Sequence, residues 1–272
     1  MDPNTKPVVL TIAGLDPSGG AGVIADVRTF VAFGCFPTAA LTSITFQNTT
    51  GVFGAIHQTA ATLRSQLDPV IDDFAVAAVK TGMLPTAEIV AAVAQFFREA
   101  KCPAPVVDPV MVSTSGHDLI GDDAFRILKA DLLPLARIVT PNIPEAERLV
   151  SFSITTEEDM RRAAESIREL GVRAVLLKGG HLGRRRQEQA AGAGEAVDIL
   201  LDDAGNFTEF REEFIDVGEV HGSGCTLSAA IAACLAKGME LEESVRESKQ
   251  YVTDSIRSLV SRARLGHGAR PL

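Results

Sequence analysis

Residues Val8–Phe33 read VVLTIAGLDPSGGAGVIADVRTFVAF. Val8–Ala13 is a short, almost wholly apolar run, the pattern of a strand buried on both faces. Gly14–Gly22 is dense in glycine and turn formers. Gly22–Phe33 then reads as a helix. Strand, glycine loop and helix in that order make the first half of a βα unit.

The alternation continues along the chain. Strands are expected at Pro37–Phe46, Ala75–Val79, Pro105–Val107, Ile138–Thr140 and Val172–Lys178. Helices are expected at Thr59–Ile71, at Thr86–Ala100 with Thr86 as N-cap, and at Thr156–Leu170 with Gly171 just past its end. Val197–Leu201 and Phe207–Phe214 flank Asp203-Ala-Gly-Asn206 as a hairpin. Gly224–Lys237 and Leu241–Arg262 close the chain as helices. Such alternation specifies an α/β fold, a largely parallel sheet with helices on both faces. With no internal repeat and no linker, residues 1–272 form one domain, with a loose N-terminus (1–6) and a loose tail (266–272). The stretch 182–195 is a candidate lid.

Composition narrows the function. The 272 residues are 46% hydrophobic and 22% charged, an ordinary globular balance. The formal net charge is −9, which disfavours a nucleic-acid partner. The one basic run, Arg184–Arg186, sits in a polar stretch and reads as a solvated loop. No window is apolar enough for a membrane span, and MDPNTKPVVL lacks the basic start of a secretory signal. The four cysteines form no C-x-x-C pair, so a reducing, cytoplasmic setting without a structural metal is expected.

In a parallel α/β sheet, ligands bind at the carboxyl ends of the strands. Several motifs fall there: Gly14–Gly20, Gln47-Asn48, Asp108-Pro109, Pro141-Asn142 and Lys178-Gly-Gly180. Neither a P-loop nor a dinucleotide fingerprint is present. In His221-Gly-Ser-Gly-Cys225, the glycines let successive N–H groups converge at a helix start. That geometry makes an anion site, and the same field lowers the pKa of a cysteine placed in it. The simpler reading is a tight turn into a buried helix with Cys225 inert. Asp108 and Glu145 offer carboxylates of the kind magnesium shares with phosphates, or else cap and salt-bridge. Lys178 can reach a phosphate or be solvated. Asp26, one turn into its helix, can face a pocket or water. Gln47 can pair with an aminopyrimidine edge or shape a loop.

Taken together, TIAGLDPSGGAG, QNTTGV, KTGML, VVDPVM, TPNIPEA, LLKGGHL and HGSGCTLSAA resemble the ribokinase-like superfamily. Within it they are most similar to the hydroxymethylpyrimidine/phosphomethylpyrimidine kinases of thiamin biosynthesis. The resemblance runs from Val8 to about Leu265. It implies a three-layer αβα sandwich, ATP and Mg2+ as cofactors, and a homodimer. It implies that Gly14, Asp26, Gln47, Met83 and Val110 line a pyrimidine pocket. Gly222, Ser223, Gly224 and Cys225 would form the anion hole, with Cys225 as a thiolate base. Asn142 and Glu145 would organise nucleotide phosphates and metal, joined by Asp108 at the metal and Lys178 at the transferred phosphate. The chain departs from the usual pattern at Thr45, Phe46 and Thr114, which bear on substrate preference. A pyridoxal kinase of the same fold is the nearest rival, and a catalytically silent binding protein a more distant one.

Overall fold

The computed structural model describes residues 6–113, 116, 118–180 and 194–272. The Arg184–Arg186 run, Thr114 and nearly all of the 182–195 stretch lie outside the described residues.

The first unit forms as expected, with β1 (Val8–Leu15), a glycine loop and α1 (Gly22–Ala32). There follow β2 (Phe36–Asn48), β3 (Gly51–His57), α2 (Ala60–Asp73), β4 (Val76–Thr81), α3 (Ala87–Glu99) and β5 (Val106–Val107). Then come α4 (Asp122–Ile127), β6 (Ile138–Val139), α5 (Ile143–Val150), α6 (Glu157–Arg168), β7 (Val175–Leu177), β8 (Glu195–Leu201) and β9 (Phe207–Glu213). The chain closes with β10 (Val220–His221), α7 (Ser223–Ala236), α8 (Leu241–Leu259) and β11 (Arg270–Pro271).

Nine strands form one sheet in the order β3-β2-β1-β4-β5-β6-β7-β8-β9. The run from β2 to β7 is parallel. Antiparallel pairs finish both edges, β2 with β3 and β7–β8–β9.

The central strands are apolar at nearly every position because both faces are covered. Leu10, Ile12, Val79, Val107, Val139, Val175 and Leu177 point into the core shared with α2, α3, α5 and α6. Their neighbours Val9, Ala78, Val106, Ile138 and Leu176 point into a second core with α1, α7 and α8. The two-residue period of a strand thus splits each run between two helical layers. In α7, Ala229–Ala233 are completely buried, and the helix packs on α1, α8 and β4 at once. Small side chains permit that approach.

Local signals act as expected at several ends. Thr86 Oγ1 accepts the Ile89 N–H at 3.3 Å and caps α3. Gly171, just beyond α6, has φ +96°.

The turn after Gln47 differs from the expected loop. Asn48 Oδ1 accepts from the N–H and hydroxyl of Thr50, and the chain reverses into the edge strand β3. The tail also differs, since residues 266–272 are held rather than loose. The Ala269 N–H donates to Thr49 O at 2.8 Å, and β11 pairs in parallel with β10. Arg28 donates to Leu272 O. Backbone hydrogen bonds need no side-chain pattern, so composition around Gly266–Leu272 did not announce them.

Candidate active site

The carboxyl ends of β1, β5, β6 and β7 bring the expected motifs together. Asp108, the first residue after β5, is 3% exposed. Its Oδ1 lies 3.3 Å from Lys178 Nζ, just after β7, and 3.4 Å from Thr140 Oγ1. Ser228 of α7 reaches Oδ2 at 3.3 Å. Burial opposes charge on Lys178. The carboxylates of Asp108 and Glu145 outweigh it and hold the ammonium above its ordinary pKa.

The α7 N-terminus closes over this pair. Gly222 has φ +84°, and a Cβ there would stand 1.8 Å from the Gly20 carbonyl oxygen. Only glycine fits the turn, which presses on the loop after β1. A Cβ on Gly224 would lie 3.1 Å from Lys178 Nζ and 3.7 Å from Asp108 Oδ2. The free N–H groups of the first turn of α7 therefore open beside a buried lysine and aspartate, a setting that binds and polarises anionic groups.

Asn142 and Glu145 form a reciprocal capping box on α5. Asn142 Oδ1 accepts the Glu145 N–H at 2.9 Å, and Glu145 Oε2 accepts the Asn142 N–H at 2.8 Å. The capping alternative is therefore realised. Glu145 is also only 6% exposed and sits within the field of Lys178 and Asp108. Burial, aided by Asp108, pushes its carboxyl up to about 7 against the pull of Lys178 and the N–H groups of Asn142 and Met111.

Cys225 departs from expectation. A helix start favours a thiolate, but burial pushes this thiol up to about 11. Asp108 and Asp26 add to that effect, and Lys80 and the Gly22 N–H oppose it. Desolvation with two nearby carboxylates outweighs the dipole, so the resting side chain is a neutral thiol at pH 7.

Asp26 also departs. It is completely buried, with Lys80 Nζ 2.8 and 2.9 Å from its two oxygens and Thr11 Oγ1 donating at 2.6 Å. It presents no carboxylate to an open pocket in this structure. Burial opposes charge on Lys80, but the nearby acids hold it as an ammonium. This lysine, also completely buried, was given no role by the sequence, although it follows an apolar run as Lys178 does.

Among the remaining residues, Gly14 and Met83 are neighbours, with Met83 Sδ 3.3 Å from where a Gly14 Cβ would be. Val110 is half-buried beyond Asp108. Gln47 lies against His221 on the other side of the glycine loop, at 3.0 Å. His221 contacts Asp16 at 2.8 Å; both lie inside the quoted motifs, and the sequence assigns neither a role of its own. A cleft of about 420 Å³ between β3 and the 118–122 loop meets this group only at Met83. No group of three or more metal-ligating side chains occurs among the described residues.

A parallel αβα sheet with a glycine-built helix start over a lysine–aspartate pair defines a ribokinase-like small-molecule kinase. The phosphomethylpyrimidine kinase family matches residues 16–272, and the chain belongs to that family.

The chain is 46% identical over 260 residues to the thiamine biosynthesis bifunctional protein ThiED of Geobacter sulfurreducens, covering 96% of this chain and 51% of that protein. It therefore spans about half of that relative. It is 42% identical to the hydroxymethylpyrimidine/phosphomethylpyrimidine kinase of Streptomyces coelicolor, covering 93% of this chain and 90% of the relative. Bacillus subtilis pyridoxal kinase, solved as an ADP complex, is 34% identical with a TM-score of 0.84, covering 98% of this chain and 96% of that one.

Proposed function

We infer that the chain phosphorylates 4-amino-5-hydroxymethyl-2-methylpyrimidine from ATP, and then phosphorylates the monophosphate to the diphosphate, in thiamin biosynthesis. The observation that carries this reading is the α7 N-terminus opening beside Lys178 and Asp108. Membership of the phosphomethylpyrimidine kinase family supports the substrate.

In this reading the N–H groups from Gly222 to Cys225 hold the oxygens of the transferred phosphoryl group. Lys178 neutralises charge that grows there, and Asp108 fixes its ammonium. Asn142 and Glu145 sit at the nucleotide phosphates. Two carboxylates suit magnesium, which takes most of its ligands from phosphates and water. Asp108 and Glu145 would hold it, and it would supply positive charge against the phosphates. Gly14, Gln47, Met83 and Val110 bound the pyrimidine, while Asp26 acts from behind by anchoring Lys80 near Cys225.

Cys225 faces the hydroxymethyl group and takes its proton once the thiol has ionised. The second acceptor is a phosphate and needs no such base.

The exposed apolar side chains Ile44, Phe46, Phe53 and Ile56 on the β2–β3 hairpin suit a second copy of the chain. Light scattering should then give the mass of a dimer. The four free cysteines fit a reducing compartment, which we take to be the cytoplasm. No helix among the described residues is long and apolar enough to cross a membrane.

Product analysis by mass spectrometry, with ATP, magnesium and either the aminopyrimidine or pyridoxal, tests the assignment. Diphosphate from the pyrimidine is expected. Product from pyridoxal alone would transfer the substrate to the second reading, which the 34% identical pyridoxal kinase favours.

A further inference from the structure

Thr45, so far only a departure from the usual pattern, is 4% exposed and bonded on both sides. Its Oγ1 lies 2.9 Å from the Leu15 carbonyl oxygen and 3.1 Å from one end of the Gln47 carboxamide. The other end of that carboxamide lies 3.0 Å from His221 Nε2. The same ring nitrogen lies 2.8 Å from Asp16 Oδ2. Asp16 in turn accepts the N–H groups of Ser18 at 2.8 Å and Ala21 at 2.9 Å. A continuous polar chain thus runs from the end of β1 through Thr45, Gln47 and His221, and returns to the loop after β1.

The oxygen and nitrogen of a carboxamide are nearly alike in shape, so protons decide which end is which. Burial works against charge on Asp16, but bonds from His221 and Ser18 outweigh it and hold the carboxyl below its ordinary value. Asp16 is therefore an acceptor, and His221 Nε2 carries the proton that it accepts. A ring nitrogen that donates has no lone pair for an amide NH2. The Gln47 end beside His221 is then the oxygen, and the NH2 lies beside Thr45. The single hydroxyl proton of Thr45 goes to Leu15 O, which leaves Thr45 Oγ1 free to accept from that NH2. The one Nε2 proton is then shared between Asp16 Oδ2 and the Gln47 oxygen, so that a donor faces an acceptor at every contact.

We propose that Thr45 is a specificity-determining residue: it locks the Gln47 carboxamide in one orientation, so that the second amide hydrogen and the second oxygen lone pair form a fixed donor–acceptor pair. That pair complements a ring nitrogen beside an exocyclic amino group, the edge of an aminopyrimidine. Pyridoxal has no such amino group. Thr45 acts through Gln47 and is a positioning residue. The proposal rests on the reading of Gln47 as a pyrimidine contact.

Thr45→Val keeps shape and β-branching and removes the hydroxyl, and Thr45→Ser restores it. The KM for the aminopyrimidine should rise about tenfold in Thr45→Val, the worth of roughly one well-placed hydrogen bond. The KM for ATP should move less than twofold, kcat should change far less than the aminopyrimidine KM, and Thr45→Ser should recover most of the loss. An aminopyrimidine KM within twofold of wild type in Thr45→Val, or a Thr45→Ser variant as defective as Thr45→Val, would overturn the proposal.

A second arm needs no turnover. In 15N NMR of the wild-type protein, with Gln47→Ala used for assignment, His221 Nε2 should be the protonated ring nitrogen. An unprotonated Nε2 would overturn the lock whether or not Thr45→Val folds. Wild-type protein that makes no product from the aminopyrimidine, with Nε2 protonated, would instead remove the substrate reading and leave the amide orientation standing.

Discussion

Lys178 Nζ lies 3.3 Å from Asp108 Oδ1, and a Cβ at position 224 would come within 3.1 Å of the same ammonium. The start of α7 and the end of β7 therefore share one small space, kept open by the absence of a side chain. Gly224→Val should fill it and displace the lysine. We expect a fall in kcat of about a hundredfold or more, the scale of losing a preorganised charge contact, with little loss of stability. Steady-state kinetics with a thermal unfolding control checks this, and near-normal turnover would remove the anion-hole assignment.

Cys225 should matter in one step and not the other. Its thiol is held up to about 11, so the thiolate fraction rises about tenfold per pH unit below that value. The first phosphorylation should accelerate from pH 7 toward pH 10. In Cys225→Ala that rise should vanish, and the first step should lose more than the second. Equal losses in both steps would exclude the base role.

The Glu145 carboxyl, held at about 7 against an ordinary 4.5, favours its protonated form in the folded chain. Its contribution to stability is present below about pH 4.5 and is lost as pH rises through 7. By linkage that loss amounts to roughly 3 kcal/mol. Glu145→Gln should flatten the decline in urea midpoint between pH 5 and 8. It should also impair catalysis at every pH. A wild-type stability that rises across that window would contradict the burial argument.

Asp26 and Lys80 form an ion pair with both side chains completely buried. Lys80→Met alone leaves a buried carboxylate unpaired and should cost about 3–5 kcal/mol. Asp26→Leu with Lys80→Met should recover much of that. Urea denaturation of the three proteins reads the difference directly. A double variant no more stable than the single one would show that packing, not charge, sets the cost.

The strands of the central sheet were legible because burial on both faces writes a nearly continuous apolar run. Lys178 and Asp108 were legible because polar residues directly after such runs stand out. Asn142 and Glu145 were legible by their spacing, which the structure uses as a reciprocal cap. Lys80 was missed because its partner Asp26 lies 54 residues away and no local pattern links them. The raised pKa of the Cys225 thiol was hidden for a related reason. The helix start is visible in the sequence, but the two carboxylates beside it come from other strands and helices. The edge strand β3 was hidden behind an Asn-Thr-Thr stretch that reads as a loop and proves to be a two-residue turn.

The Gly20 carbonyl oxygen occupies the place where residue 222 would carry a side chain. The loop after β1 and the turn before α7 are therefore meshed like two gear teeth. Neither can slide past the other without a backbone clash. In the proposed reaction one would bear on the ring of the acceptor and the other on the phosphoryl group, so the two halves of the reaction chamber would adjust as one piece. A change that reshapes the bed of one substrate is also a change to the bed of the other.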